Sequence, residues 1–329
     1  MSEPQRDITY ILHWGDLAST VRMLAVAKVL RAVHKRDRIV LLTVPDFESF
    51  LKHCPYFNAI ETDALPDARP MAGLRDKRIK LTKPVRVYDL VGDSDSRRMK
   101  RLFRFSKCQW REIAPDPRTD DNQHPVDAVA GRLNAALGTG PEVYPLGGAP
   151  APDASWVDYL AKKSRMLDPE YFGLNGPFAL LAPAGDTVKA PLRWPQDKWS
   201  ALSHELLQAG ITPAIIGGPD TRDVGRYVSH NTPGARDLTG KAKLAQLAGL
   251  ARRASFVFGE DTPLLHLLVA GGAPALALYG NVEDPALIAP RGEAPVILMH
   301  ATTLAQVTPE EAIAAMRFAG GFQERPVAA

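Results

Sequence analysis

The chain has 329 residues, enough for about two domains with their own hydrophobic cores. Apolar residues make up 45% and charged residues 23%, which excludes wholesale disorder, and a formal net charge of +3 excludes a chain drawn onto nucleic acid by its overall field. Two cysteines, Cys54 and Cys108, exclude a disulfide framework or a Cys-rich zinc centre and fit a reducing cytosol.

The N-terminus is polar and lacks an apolar signal core. The longest weakly polar stretch, Leu264 to Tyr279, is interrupted by His266, Gly271, Gly272 and Pro274 and is too short to cross a bilayer. A cytoplasmic protein, peripheral to a membrane at most, is expected.

In chain order, Ile8 to His13 predicts a strand ending at Trp14-Gly15-Asp16, and Leu17 to Val33 has helical spacing. Arg38 to Val44 is a second strand, Pro45 to Leu51 a turn leading into a helix, and Val85 to Val91 a third strand. Pro141 to Pro152, rich in proline and glycine, belongs to a connection between domains. A helix is expected over Ala154 to Ser164, then a second alternating series. Its strands are Phe178 to Ala182, Thr212 to Ile216, Ser255 to Phe258 and Ala273 to Tyr279. Its helices start at Pro195 (to about Gln208), at Lys243 (to Arg253) and after Thr262 (to Ala270). Strand–helix–strand alternation predicts parallel α/β sheets in two domains.

Charge is unevenly spread. Arg75 to Lys107 holds twelve Lys or Arg against four Asp, so the remainder is net acidic. This tract is either a solvated face or a dock for an anionic acceptor or membrane surface. The rest of the chain shows no nucleic-acid module.

Ligands of open α/β sheets bind beyond the carboxyl ends of the strands. Asp16, after the first strand, is therefore either a helix cap or a catalytic carboxylate. Gly259-Glu260-Asp261-Thr262 opens a helix with His266 one turn on, an arrangement that suits a phosphate but is also ordinary capping. The loop Pro183 to Pro195, with Gly185, Asp186, Thr187, Lys189 and Arg193, is either a phosphate loop or a surface turn. Asp93-Ser94-Asp95 is either a metal-binding Asp-x-Asp or the cap of the basic helix after it.

Asp261-Thr262-Pro263-Leu264-Leu265-His266-Leu267, continuing through Gly272-Ala273-Pro274 to Leu278-Tyr279-Gly280, resembles the Asp-Thr-Gly-Pro-Met-His-Leu segment of the lipopolysaccharide heptosyltransferases, glycosyltransferase family 9. Asp237-Leu238-Thr239-Gly240 with Leu244 to Ala248, the loop ending in Trp194-Pro195, Gly15-Asp16, and Val87-Tyr88-Asp89-Leu90 with Arg97-Arg98 extend the resemblance over about Ile8 to Gly280.

The resemblance implies a GT-B fold, α/β with two Rossmann-like domains and parallel sheets facing a cleft. Residues 1–150 would bind the acceptor and 151–308 the nucleotide sugar, with 309–329 a terminal helix and tail packing back on the first domain. It implies an inverting glycosyl transfer needing no metal and no cofactor. Asp16 would be the general base. Thr187, Lys189, Arg193, Asp261, Thr262 and His266 would contact the donor, and Asp220 or Asp223 its ribose. Arg97, Arg98 and Arg101 would hold an anionic, lipid-linked inner-core acceptor, with peripheral contact at the inner membrane. The donor would be ADP-heptose; another nucleotide sugar, an epimerase of nucleotide sugars or a non-catalytic relative are the alternatives. Three positions depart from the family pattern: Pro263 replaces a glycine, Leu192 a lysine, and Arg22 a proline.

Overall fold

The computed structural model describes residues 7–62, 84–116, 120, 122–138, 151–162, 164–282 and 284–318. Arg75 to Lys83 of the basic tract, residues 141–150 of the expected connection and the tail from 319 lie outside them. The chain divides into two units, Met1–Pro152 and Asp153–Ala329.

In the first unit, apolar Ile8–Leu12 (β1) sits at the centre of a five-stranded parallel sheet. β2 (Arg38–Leu42) and β3 (Ala59–Glu61) lie on one side, β4 (Arg86–Asp89) and β5 (Gln109–Glu112) on the other. Register pairs Ile11 with both Leu41 and Tyr88. A central parallel strand is covered on both faces, so its residues are mostly apolar rather than alternating, and the buried Thr9 donates to Asp37 Oδ2 (2.8 Å). Tyr10, Leu12, Val40, Leu42 and Val87 form one face's core with Met99 and Phe103. The helix Leu17–Val33 buries ten residues of its Ala, Val, Leu and Met-rich sequence.

The second unit repeats the plan with six parallel strands: β6 (Phe178–Ala182), β7 (Thr212–Ile215), β8 (Arg236–Asp237), β9 (Phe256–Glu260), β10 (Ala275–Gly280) and β11 (Val296–Ala301). Their spatial order is β11-β10-β9-β6-β7-β8. Both sheets start in the middle, run outward one way, then return and run outward the other way. The strand order therefore reverses between β1 and β4, and again between β6 and β9, and these are the places where such sheets bind ligands. The two Rossmann-like α/β units expected from the sequence are present.

Two boundaries differ from expectation. The helix after Trp194 begins at Gln196, with Pro195 in extended backbone (φ −59°, ψ 143°) as its cap; proline lacks the N–H that the helix start leaves unpaired in any case. The helix expected from Ala154 is only Val157–Ala161. The terminal helix is Pro309–Phe318, and its buried residues Ala312, Ile313 and Met316 join the second unit's own core, with Trp194, Trp199, Phe256 and Phe258. These apolar residues at i, i+1 and i+4 make the stripe that core claims.

Met316 is fully buried, so Met316→Ala should cost about 2–5 kcal/mol through the cavity it leaves. Urea unfolding should show the loss in the second unit's transition alone; a matching loss in the first unit's transition would place the helix wrongly.

Candidate active site

At the second unit's point of strand reversal, β6 ends in the loop Pro183 to Pro195 and β9 ends in Glu260, Asp261 and Thr262. Glu260 closes an otherwise apolar strand and is 1% exposed. Its two carboxylate oxygens accept the backbone N–H groups of Ala184 (2.6 Å) and Trp194 (2.5 Å). One buried side chain thus holds both ends of the loop that carries Thr187, Lys189 and Arg193. Burial pushes the Glu260 carboxyl up from 4.5 to about 7, while the Ala184 and Trp194 amides and the Arg193 charge pull it down. The far end of the loop is locked further by Trp194. Its ring packs 5.0 Å from Trp199 and 5.0 Å from Phe258, and its Nε1 donates to the Val307 carbonyl (3.0 Å).

Within this loop Thr187 and Lys189 are exposed. Arg193 is half-buried, and its Nε is buried without a hydrogen-bond partner. Leu192 lies over the end of β10: a Cβ on Gly280 would stand 3.2 Å from its Cδ2 and 3.3 Å from Leu304 Cγ. Leu192 therefore serves packing, where the family pattern has a cation. Gly185 lies so close to the Asp220 carboxylate that any Cβ there would collide with it, and Asp186 N–H donates to the Asp220 carbonyl (3.1 Å). The loops after β6 and β7 therefore meet at Asp220. Asp223 instead turns to solvent and pairs with Arg226 of its own helix.

Thr262 caps the helix Pro263–Ala270 by position only. Its side chain makes no capping bond, and its Oγ1 is buried without a partner. Pro263 takes the first helical position, where a missing N–H costs the helix nothing. His266 is buried on the second turn and Asp261 is exposed. Tyr279, at the end of β10, has a buried hydroxyl without a partner; burial and the nearby Asp261 charge raise its pKa. Arg193, Thr262 and Tyr279 thus each bring an orphaned polar atom to loops or strand ends on one edge of the sheet. Buried polar groups are normally paired, so such orphans point to a polar ligand.

In the first unit, Asp16 is exposed beyond the end of β1 and caps the helix Leu17–Val33, its Oδ1 accepting Ser19 N–H (2.8 Å). His13, just before it, is buried and bonded to Thr20 Oγ1 (3.2 Å). Burial drives its pKa down from 6.5 to about 4; the Asp16 charge opposes this and the Arg22 charge adds to it. Here too the two strand ends are tied together. Trp14 Nε1, after β1, donates to Asp93 Oδ2, after β4 (2.9 Å). Asp93 Oδ1 accepts Asp95 and Ser96 N–H, so Asp93-Ser94-Asp95 is the start of the helix Ser94–Leu102. Among the described residues no group of three or more His, Cys, Asp or Glu could hold a metal ion. Arg97 and Arg101 are exposed on this helix, and Arg98 pairs with Asp95 (3.1 Å).

In the sequence Glu260 stands only within the Gly259-Glu260-Asp261-Thr262 motif, with no role of its own. The sequence offers only an acid two residues beyond the apolar run Ser255 to Phe258; its burial follows from the strand's continuing to Glu260. The Trp14–Asp93 tie had no signal, because it joins residues 79 apart.

Glu260 and His13 predict opposite pH slopes. The raised Glu260 pKa stabilises fully below 4.5, and this is lost as pH rises to about 7. The depressed His13 pKa stabilises above 6.5, and this is lost as pH falls to about 4. Each is worth about 3 kcal/mol at 1.36 kcal/mol per pH unit. Urea titrations across pH should show Glu260→Gln flattening the alkaline fall of the second unit and His13→Gln the acid fall of the first; unchanged slopes in either variant would refute that assignment.

A family model described as glycosyltransferase family 9 (heptosyltransferase) matches residues 143–312, just over half of the chain. The lipooligosaccharide heptosyltransferase 2 of Haemophilus influenzae is 28% identical over 93 residues, so the match spans about a quarter of that curated relative (27% of each chain). Among solved structures, a family 9 glycosyl transferase of Veillonella parvula DSM 2008 has a TM-score of 0.75 at 16% identity, covering 97% of this chain and 98% of that one. The E. coli heptosyltransferase WaaC with ADP has a TM-score of 0.74 at 17% identity, covering 95% and 99%. The fold class is thus the GT-B type expected from the sequence.

Proposed function

The chain belongs to glycosyltransferase family 9, and from that premise we propose that it is an inverting, metal-independent enzyme moving a heptose from ADP-heptose to an anionic, lipid-linked inner-core acceptor at the cytoplasmic face of the inner membrane. The observation that carries this reading is the set of orphaned polar atoms on Arg193, Thr262 and Tyr279 at the second sheet's edge. A diphosphate there would pair with the Arg193 guanidinium and the Thr262 hydroxyl and face the partial positive charge of the helix after Thr262. Lys189, Thr187 and His266 complete the donor contacts, with Asp220 at the ribose and Asp261 beside the sugar. The ADP in the E. coli relative's structure supports the choice of nucleotide.

In the transfer, an acceptor hydroxyl gives its proton to the Asp16 carboxylate while its oxygen forms the new bond to the anomeric carbon. The bond from that carbon to the diphosphate breaks on the opposite face. The leaving oxygen's charge is met by Arg193, Thr262 and the helix terminus. The first unit serves the acceptor, whose phosphates and acidic sugars suit Arg97, Arg98 and Arg101. No helix among the described residues is long and apolar enough to cross a membrane.

Leu192 favours a second reading, a donor other than ADP-heptose, because it packs against Gly280 and Leu304 where the family pattern has a cation. A thermal-shift screen of nucleotide sugars separates the two: the donor that stabilises most is the substrate class.

Asn caps a helix as well as Asp does. Asp16→Asn should therefore leave the melting temperature unchanged and lower turnover on the order of 10²–10⁴-fold; unaltered turnover would leave Asp16 a cap alone. Arg193→Ala should weaken ADP binding by about tenfold or more, the loss of one charge-assisted contact. An unchanged titration would remove Arg193 from the donor site.

A further inference from the structure

Of the three orphaned polar atoms at the second sheet's edge, the diphosphate gives partners to those of Arg193 and Thr262 only. The Tyr279 hydroxyl is left over: the residue is 0% exposed and its oxygen has no hydrogen-bond partner. A buried, unbonded hydroxyl destabilises the protein that carries it, and a phenylalanine would fill the same space without that cost.

Backbone register fixes the face on which the hydroxyl lies. Phe258 and Leu278 turn into the core around Trp194 and Trp199. Gly259 turns the other way, and a Cβ on it would stand 2.9 Å from Leu265 of the helix Pro263–Ala270. Ala277 pairs with Gly259, and Tyr279 lies two residues further, so Tyr279 shares the face that this helix covers. The neighbouring strand end carries Asp261, whose N–H donates to the Leu278 carbonyl (3.1 Å) and whose charge acts on the Tyr279 hydroxyl. Burial and that charge hold the phenol above its usual pKa, so it stays protonated and can donate beside a carboxylate that accepts.

We propose that Tyr279 and Asp261 together clasp one hydroxyl group of the donor's sugar, Tyr279 donating to its oxygen and Asp261 accepting its O–H. The chemistry selects an alcohol, which both donates and accepts a hydrogen bond; the pair offers one partner for each. A phosphate carries negative charge and would be repelled by Asp261. Position agrees. Asp220 after β7, Arg193 in the loop after β6, Thr262 after β9 and Tyr279 at the end of β10 belong to consecutive strands, each about 4.8 Å from the next. In a nucleotide sugar, ribose, diphosphate and sugar follow one another in that order. Tyr279 is then a specificity-determining residue, because a site built to hydrogen-bond a hydroxyl rejects a ligand that lacks it. The inference rests on the donor site proposed above and does not require the sugar to be heptose.

The test sets stability against binding in Tyr279→Phe. Without ligand, the second unit of the variant should melt about 2–4 °C higher than wild type, since an unpaired buried hydroxyl is gone. Calorimetric titration should give ADP the same Kd in both proteins. ADP-heptose, or whichever nucleotide sugar stabilises the wild type most, should bind the variant about tenfold more weakly. Adding Asp261→Asn should cost less than the product of the two single losses, because both groups hold one hydroxyl. A melting temperature that is unchanged or lower would show the hydroxyl already bonded, for example to a fixed water, and would overturn the proposal. Unchanged affinity for the nucleotide sugar, an equal loss for ADP, or fully multiplicative losses would overturn it as well. Transfer to the acceptor is measured separately on the wild type. Its absence alongside a Tyr279-dependent affinity for a nucleotide sugar would sink the enzymatic reading and leave this one standing. Transfer alongside wild-type donor affinity in Tyr279→Phe would do the reverse, and failure of every nucleotide sugar to bind would overturn both.

Discussion

The second unit is organised around a carboxylate that has nowhere to go. Glu260 is carried into the interior by the apolar strand β9, where an ionised group is costly. Two backbone N–H groups from opposite ends of one loop offset that cost. The coupling works in both directions. The loop cannot take another shape without leaving a buried carboxylate unsatisfied, and the carboxylate cannot move without orphaning two amides. The loop residues proposed for the donor therefore sit on a frame set by one side chain, and Arg193, Thr262 and Tyr279 bring buried polar atoms without a partner beside it.

The first unit solves the same problem at lower stakes. Its strand ends are joined by the Trp14–Asp93 bond, which is half-buried and neutral on one side, so no comparable desolvation is involved. The helix starts after β1 and β4 are capped by Asp16 and Asp93 through ordinary local bonds. That leaves Asp16 exposed and one of its oxygens committed to Ser19, compatible with a carboxylate that both caps and accepts a proton. The buried His13 next to it stays neutral across the physiological range, so it adds no positive charge beside that carboxylate.

Much was legible along the chain. Phe178–Ala182 and Leu17–Val33 have the bounds their composition predicts, because a buried parallel strand and a helix packed over much of its surface both leave continuous apolar signatures. The short strands β3, β5 and β8 were not legible. Gln109–Glu112 is polar at both ends and Arg236–Asp237 is two residues long, so sheet pairing rather than side-chain pattern defines them. At the site, Thr262, His266 and Arg193 could be named from local motifs. That Asp220 and not Asp223 meets the loop after β6 depends on its contact with Gly185, which no spacing encodes.

The sequence by itself determined the α/β alternation, the two-unit organisation and the family, since these reside in local periodicity and contiguous motifs. Only the tertiary structure decided that Glu260 staples its loop, that Leu192 fills space over Gly280, and that the terminal helix joins the second core. Those outcomes depend on which distant backbone amides and apolar faces are brought within a few ångströms of one another, and chain order carries no record of that distance.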